Sequence, residues 1–436
     1  MQEKQINNAL IWFRNDLRVH DNAVLQEAMN SGKNAIALYC FDPRHFETTL
    51  YGFKKTEKFR VKFLIESIVD LKHNLSKLNI NLLTFHSKPE AVIPRLVEDY
   101  QIDGLYLQKE WTEEEVAVLE KVRGSMPKEV EIQEIYNQLL YHPEEIQMEI
   151  EQIPKVFTGF RKHLEKQCNI RQTIAIPDKA SVEITSEFTV IPTLEDLGFE
   201  DFETHPKSAF PFKGGETQAL KRLHSYFFET KKLGFYKKTR NELIGTDFSS
   251  KFSPWLANGS ISAKMIYWEV KRFEAEHFKN DSTYWLIFEL IWRDFFKYIA
   301  LKHGNDIFKL GGILKNDYEW NTNSKAIKQW QNGTTVEPFV NANMIELNKT
   351  GWMSNRGRQN VASYFAKTME LDWRIGAAYF ESLLIDYDVH SNYGNWMYVA
   401  GVGNDPRDRT FNVKLQAERY DAHGKYQNLW LQETLF

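Results

Sequence analysis

The first hundred residues alternate between short apolar runs and longer segments of helical periodicity. Ala9-Leu-Ile-Trp-Phe13 and Ala35-Ile-Ala-Leu-Tyr-Cys-Phe41 are strand-length runs bounded by polar residues, and Asn22 to Asn30 between them repeats its apolar positions at helical spacing. An amphipathic helix over Lys58 to Leu78, a strand over Asn81 to His86, a helix over Pro89 to Tyr100 and a strand over Gly104 to Leu107 continue the alternation. Strands separated by helices imply βαβ units and a parallel sheet. Residues 1–135 therefore read as an α/β domain.

The pattern then dissolves. Between Glu134 and Pro211 lie Pro143, Pro154, Pro177, Pro192 and Pro206 with few long periodic segments, so residues 136–211 read as a connector wrapped on a surface. After Gly215 helical spacing returns almost throughout, over Glu216 to Leu233, Ile261 to Glu276, Thr283 to His303, Ala326 to Asn332, Val340 to Lys349, Asn360 to Glu370 and Ile375 to Asp386. Residues 212–436 read as a mainly α domain.

Composition changes this picture in two places. The net charge of −4 is unevenly spread, with 24 Lys and Arg against 32 Asp and Glu in residues 1–200, and 31 against 27 thereafter. An anionic partner is expected to prefer the second half. Aromatics are abundant, with 30 Phe, 19 Tyr and 12 Trp. Cys40 and Cys168 stand far apart in no metal spacing, which fits a reducing compartment. No apolar run reaches the roughly 18 residues of a membrane span, and the chain enters its first strand without a signal peptide, so a cytoplasmic protein is expected.

Candidate chemistry gathers in the second half. Thr350 to Tyr398 holds Arg356, Arg358, Asp386, Asp388 and Asn392 among Trp352, Trp373 and Trp396. Such groups are costly to bury unless they pair with each other or with a ligand, and a polar-edged aromatic cofactor would satisfy most of them. In the apolar helix around Glu289-Leu-Ile-Trp-Arg293, Glu289, Trp292 and Arg293 are expected to face one way, either as an i,i+4 ion pair in a core or as a grip on a planar base. Gly245 to Ser253 places Ser249, Ser250, Lys251, Phe252 and Ser253 before a helix, an arrangement that suits a diphosphate but also occurs in ordinary caps. There is no Walker A motif, G-x-G-x-x-G after the first strand, H-E-x-x-H or nucleophile elbow, which removes most support for hydrolase and dehydrogenase readings. The histidines are scattered, and no metal site is expected.

With both halves read, the chain resembles the cryptochrome and photolyase family, and within it the DASH cryptochromes. The resemblance rests on W-F-R-N-D-L-R-V-H-D-N, C-F-D-P-R-H-F, E-L-I-W-R-D-F, T-G-W-M-S-N-R-G-R-Q-N-V-A-S and D-W-R-I-G-A, and for the DASH type on Y-D-V-H-S-N-Y-G-N-W and V-A-G-V-G-N-D-P-R-D-R-T-F-N-V. It implies a Rossmann-like antenna domain and an all-α domain enclosing FAD. Tyr236 and Ser249 to Ser253 would hold the diphosphate, Arg358 would pair with Asp386 beside the isoalloxazine, Asp388 would lie near the ring edge and Asn392 would face N5. Trp396, Trp373 and Trp320 match the family's electron relay, with Trp330 fixing the register.

For substrate, Glu289, Trp292, Asn355 and Arg356 match residues that contact a cyclobutane pyrimidine dimer, with Arg356 and Arg409 on phosphates. The implied reaction is light-driven electron donation from FADH⁻ to a flipped-out dimer, ring splitting and return of the electron. Tyr398 and Gln359 stand where duplex-active photolyases carry tryptophan and methionine, and Met397 and Asn341 where glutamine and aspartate are usual. A more polar pocket grips a thymine pair less well, which favours DNA that is already single-stranded. Glu110 matches the glutamate that holds 5,10-methenyltetrahydrofolate as antenna, or is one carboxylate in an acidic helix start. A monomer is expected. The alternative function is a blue-light photoreceptor that regulates a partner without repair, against which the chain ends soon after the Tyr426 to Leu431 block without a signalling tail.

Overall fold

The computed structural model describes residues 8–432 apart from 33 and 186. Five parallel strands, β1 (Asn8–Trp12), β2 (Asn34–Cys40), β3 (Leu82–Phe85), β4 (Ile102–Gln108) and β5 (Glu131–Ile135), lie in the order β3-β2-β1-β4-β5. The central strand is buried along its whole length, which is why Ala9 to Trp12 is continuously apolar rather than alternating. Ala9 and Ile11 face a core shared with helices Ala23–Asn30 and Lys58–Ser76. Leu10 and Trp12 face the opposite core, with Pro89–Asp99 and Glu113–Gly124. The expected α/β domain is thus a doubly wound sheet covered on both sides.

The connector closes one sheet edge. Ala180 donates its N–H to Leu78, Asn81 reaches the carbonyls of Thr185 and Glu187, and the Thr84 N–H is taken by the Thr189 hydroxyl beside β3. Edge groups that would otherwise stay open are paired. The connector also carries a helix, Phe157–Gln167, that the proline spacing concealed.

The second half is helical, as expected. Its central helix, Asp281–His303, is started by an Asn280–Thr283 capping box and stopped at Gly304, whose φ of 52° the next helical residue would not adopt. Helix Val389–Ala400 packs against it so closely that a Cβ on Gly394 would stand 2.3 Å from Phe296. Two expected helices end early in π turns, Ser225–Glu229 and Tyr364–Thr368. Among the described residues no helix is long and apolar enough to cross a membrane.

The halves join through buried polar contacts. Arg18, 1% exposed, donates to the carbonyls of Asp21, Asn137 and Gly259. Asp294, on the central helix and fully buried, accepts the N–H groups of Leu140 and Tyr141. One guanidinium and one carboxylate therefore tie sheet, connector and helices together.

Candidate functional site

A cavity of about 270 Å³ opens beside the central helix. Its first wall is the loop before helix Ser253–Ala257, with Ser249, Ser250, Lys251, Phe252 and Ser253 all lining it and Tyr236 beside them. That helix is only five residues long, so positive potential at this end comes from Lys251, not from a long helix dipole. Lys251 sits at φ 63°, its ammonium 4.6 Å from the Trp352 ring centroid. Burial pushes the Lys251 ammonium down and the nearby Glu346 carboxyl up, while each opposes the shift of the other. The loop is held from behind by Arg222, which donates to the carbonyls of Thr246, Ser249 and Ser250 and to Asp247. Sequence reading missed Arg222, because nothing in its own helix marks a partner 28 residues away.

The same cavity carries the expected pair. Arg358 Nη2 lies 2.9 Å from both oxygens of Asp386, and its Nε donates to the Met353 carbonyl at 2.9 Å. Asp388 lines the cavity too, its Oδ1 accepting the Ser391 N–H and its Oδ2 lying 2.9 Å from Lys297 Nζ. Burial alone would raise the Asp388 carboxyl, but the Lys297 ammonium holds it well below the usual carboxylate range. Asn392 is buried and donates its amide to the Ala377 carbonyl at 3.0 Å, so that N–H is already committed.

Glu289, Arg293 and Asn355 also line the cavity. Of the two readings of this helix face, the Glu289–Arg293 ion pair does not form. Arg240 donates to Glu289, whereas Arg293 gives its guanidinium to the carbonyls of Gln138 and Leu256. Helical spacing placed the two residues on one face, but the competing partners come from segments that spacing cannot see. Burial pushes the Glu289 carboxyl up and Arg240 pulls it back.

Trp292, by contrast, does not line the cavity. Its ring stacks on Phe157 of the connector helix at 3.7 Å and 11°, with Tyr398 edge-on at 6.1 Å. The Tyr398 hydroxyl accepts from Arg409, which also pairs with Asp405. Arg356 lies over Tyr420 and donates to Gln359 at 2.8 Å.

Of the tryptophans expected to form a relay, Trp320 adjoins Asn321, whose backbone pairs with Glu370 and Asp372 next to Trp373. Trp396 and Trp373 are buried and Trp320 is partly exposed. Trp396 lies against Gly376, one turn along the helix that Trp373 begins, and meets Trp330 edge-on at 6.2 Å. Trp373 donates its indole N–H to Leu310.

Glu110 belongs to a second cavity, of about 440 Å³, between the two halves. It accepts a hydrogen bond from Gln108 at 2.7 Å. Arg60 Nε, Gln108 Oε1 and His390 Nε2 are buried in this wall without a protein partner, which suits an occupant bearing both donors and acceptors. Arg293 and Asp388 line both cavities.

The donor set of the first cavity fits FAD. The cationic loop suits a diphosphate, and the Arg358–Asp386 pair with Asp388 suits a polar-edged ring.

Comparison with known proteins agrees with this arrangement. Residues 9–180 match the family described as DNA photolyase, and residues 285–435 the FAD binding domain of DNA photolyase. The chain is 46% identical to a Cryptochrome DASH of Gloeobacter violaceus, across 97% of this chain and 85% of that one. It is 47% identical to one of Xenopus laevis, across 97% and 82%. The crystal structure of a Synechocystis cryptochrome superposes with a TM-score of 0.94 at 44% identity, covering 99% of this chain and 90% of that one. An archaeal photolyase from Sulfolobus tokodaii, described with two FAD molecules, gives 0.79 at 26% identity, covering 98% and 90%.

Proposed function

The chain belongs to the DASH cryptochromes of the FAD-binding DNA photolyase family, and on that footing we propose that it repairs cyclobutane pyrimidine dimers under blue light, preferring single-stranded DNA. The observation that carries this reading is that one cavity is lined both by the groups suited to FAD and by Glu289, Arg240 and Asn355, which can hold a base edge. When bound, reduced FAD supplies the light-excited electron. The protein holds and orients. Lys251 and the Ser249–Ser253 loop take the diphosphate, and Arg358 with Asp386 fixes the ring edge. Glu289 accepts from Arg240, which keeps the carboxylate aimed, and its remaining oxygen would accept from the N–H of a base edge.

The preference for single strands follows from the aromatic grip. Phe157 stacks on Trp292, Phe296 lies tilted against it at 5.5 Å and Tyr398 meets it only edge-on, so at most one indole face can take a base, worth about 1–3 kcal/mol per base. Extruding a nucleotide from a duplex costs a few kcal/mol, and unpaired strands avoid that cost. As part of the same reading, the interdomain cavity takes 5,10-methenyltetrahydrofolate through Glu110, the relay runs through Trp396, Trp373 and Trp320, Asn392 faces N5, and the protein acts as a cytoplasmic monomer.

The test is dimer loss in irradiated oligo(dT) and in the matching duplex, under blue light and in darkness. Light-dependent loss, faster on the single strand, is expected. No loss on either substrate under reducing conditions would replace repair with light sensing. Glu110→Ala should abolish the folate absorbance while FAD stays bound.

A further inference from the structure

Behind the ring wall, a single ammonium serves two acceptors. Lys297, 3% exposed on the central helix, places Nζ 2.9 Å from Asp388 Oδ2 and 3.1 Å from His390 Nδ1. An ammonium only donates, so the imidazole must present its lone pair at Nδ1 and carry its proton on Nε2. His390 is therefore a neutral acceptor here. Both Asp388 oxygens are likewise occupied as acceptors, one by Lys297 and the other by the Ser391 N–H at 2.8 Å.

The His390 ring lies 4.9 Å from Trp111 of the N-terminal half, and Asp388 lines both cavities. The charged groups that act on the pair are Lys297 and Arg293 of the central helix and Glu115 of the N-terminal half. Burial, with help from Lys297, pushes the His390 imidazole down to about 4.

We infer that Lys297 is a positioning residue that locks Asp388 as a carboxylate at the flavin cavity, so that the charge presented to the flavin there does not change with pH. The inference rests on the FAD reading of that cavity. Without the ammonium the lock fails in a defined way. His390 Nδ1, 3.9 Å from Asp388 Oδ2, then gains a proton to become the replacing cation, or Asp388 itself takes one. A histidine paired in this way titrates between about pH 5 and 8, where the parent pair is silent.

The experiment follows oxidised-flavin absorbance and the flavin midpoint potential against pH in the FAD-loaded parent, Lys297→Met, Lys297→Arg and His390→Gln. Groups common to all four proteins, Glu346 among them, cancel in the difference curves. Lys297→Met is expected to add a one-proton step absent from the parent. Lys297→Arg, which restores the cation, is expected to remove that step, and His390→Gln with Lys297 intact is expected to stay silent. A silent Lys297→Met difference curve would overturn the inference. So would a step in His390→Gln, which would move the lock to the imidazole and which keeps the test decisive if Lys297→Met fails to hold flavin. A parent protein that binds no FAD at all would instead defeat the function proposed above.

Discussion

Gly376 exists to admit Trp396: a Cβ at position 376 would stand 2.3 Å from Cη2 of that indole. Gly376→Ala should displace the ring and destabilise the protein by about 1–3 kcal/mol, the usual range for overpacking a core. If Trp396 is the first relay partner, flavin photoreduction should slow in the same variant while repair by chemically reduced protein persists. Denaturant titration and stopped illumination measure the two effects separately.

Breaking the ring-wall ion pair should be more severe. Asp386 has only 2% of its side chain exposed and shares both oxygens with Arg358. Asp386→Leu leaves the guanidinium in the cavity wall without its counter-charge, and loss of one partner from such a pair typically costs about 3–5 kcal/mol. The purified variant should carry little FAD, read as the ratio of flavin to protein absorbance.

Glu289 separates binding of cofactor from handling of substrate. Glu289→Gln keeps the shape and one acceptor but removes the charge that pairs with Arg240 and one accepting oxygen, so repair of oligo(dT) should fall by about tenfold while the flavin content stays at the parent level. Loss of flavin instead would place Glu289 on the cofactor side of the cavity.

Asp294 makes a stability prediction with a sign. Burial raises its carboxyl to about 6, although the Tyr141 and Leu140 N–H groups pull it back. A raised folded value favours the protonated form, so this group's contribution is fully present below the unfolded carboxyl range and is lost as pH rises through 6. Relative to Asp294→Asn, the parent should therefore gain stability as pH falls from about 7 towards 5, at no more than about 1.4 kcal/mol per pH unit. Paired chemical denaturation curves across that range give the difference directly.

What the sequence disclosed follows from where each signal originates. The first four strands were legible because burial on both faces makes them continuous apolar runs. Strand Glu131–Ile135 was not, since it is an edge with an exposed or half-exposed pattern and no such run. Helix spacing located the central helix but misjudged its charges, because Glu289 finds Arg240 and Arg293 finds Gln138, 49 and 155 residues away in sequence. The Arg358–Asp386 pair came from family resemblance, and the geometry places those two groups together. Lys297, Arg222 and Phe157 had no sequence signal at all, since each acts through a partner distant along the chain.

Arg18 has a consequence for the order of assembly. One of its carbonyl acceptors, on Gly259, lies 241 residues downstream. At roughly 5–20 residues per second, a ribosome needs about 12–48 s to make that stretch, so the sheet waits with a guanidinium whose final acceptor has yet to be translated. The N-terminal half released alone would have to hydrate that charge at what is otherwise an interior seam. A nascent chain arrested just before Gly259 should accordingly be far more protease-sensitive at this seam than one arrested well after it.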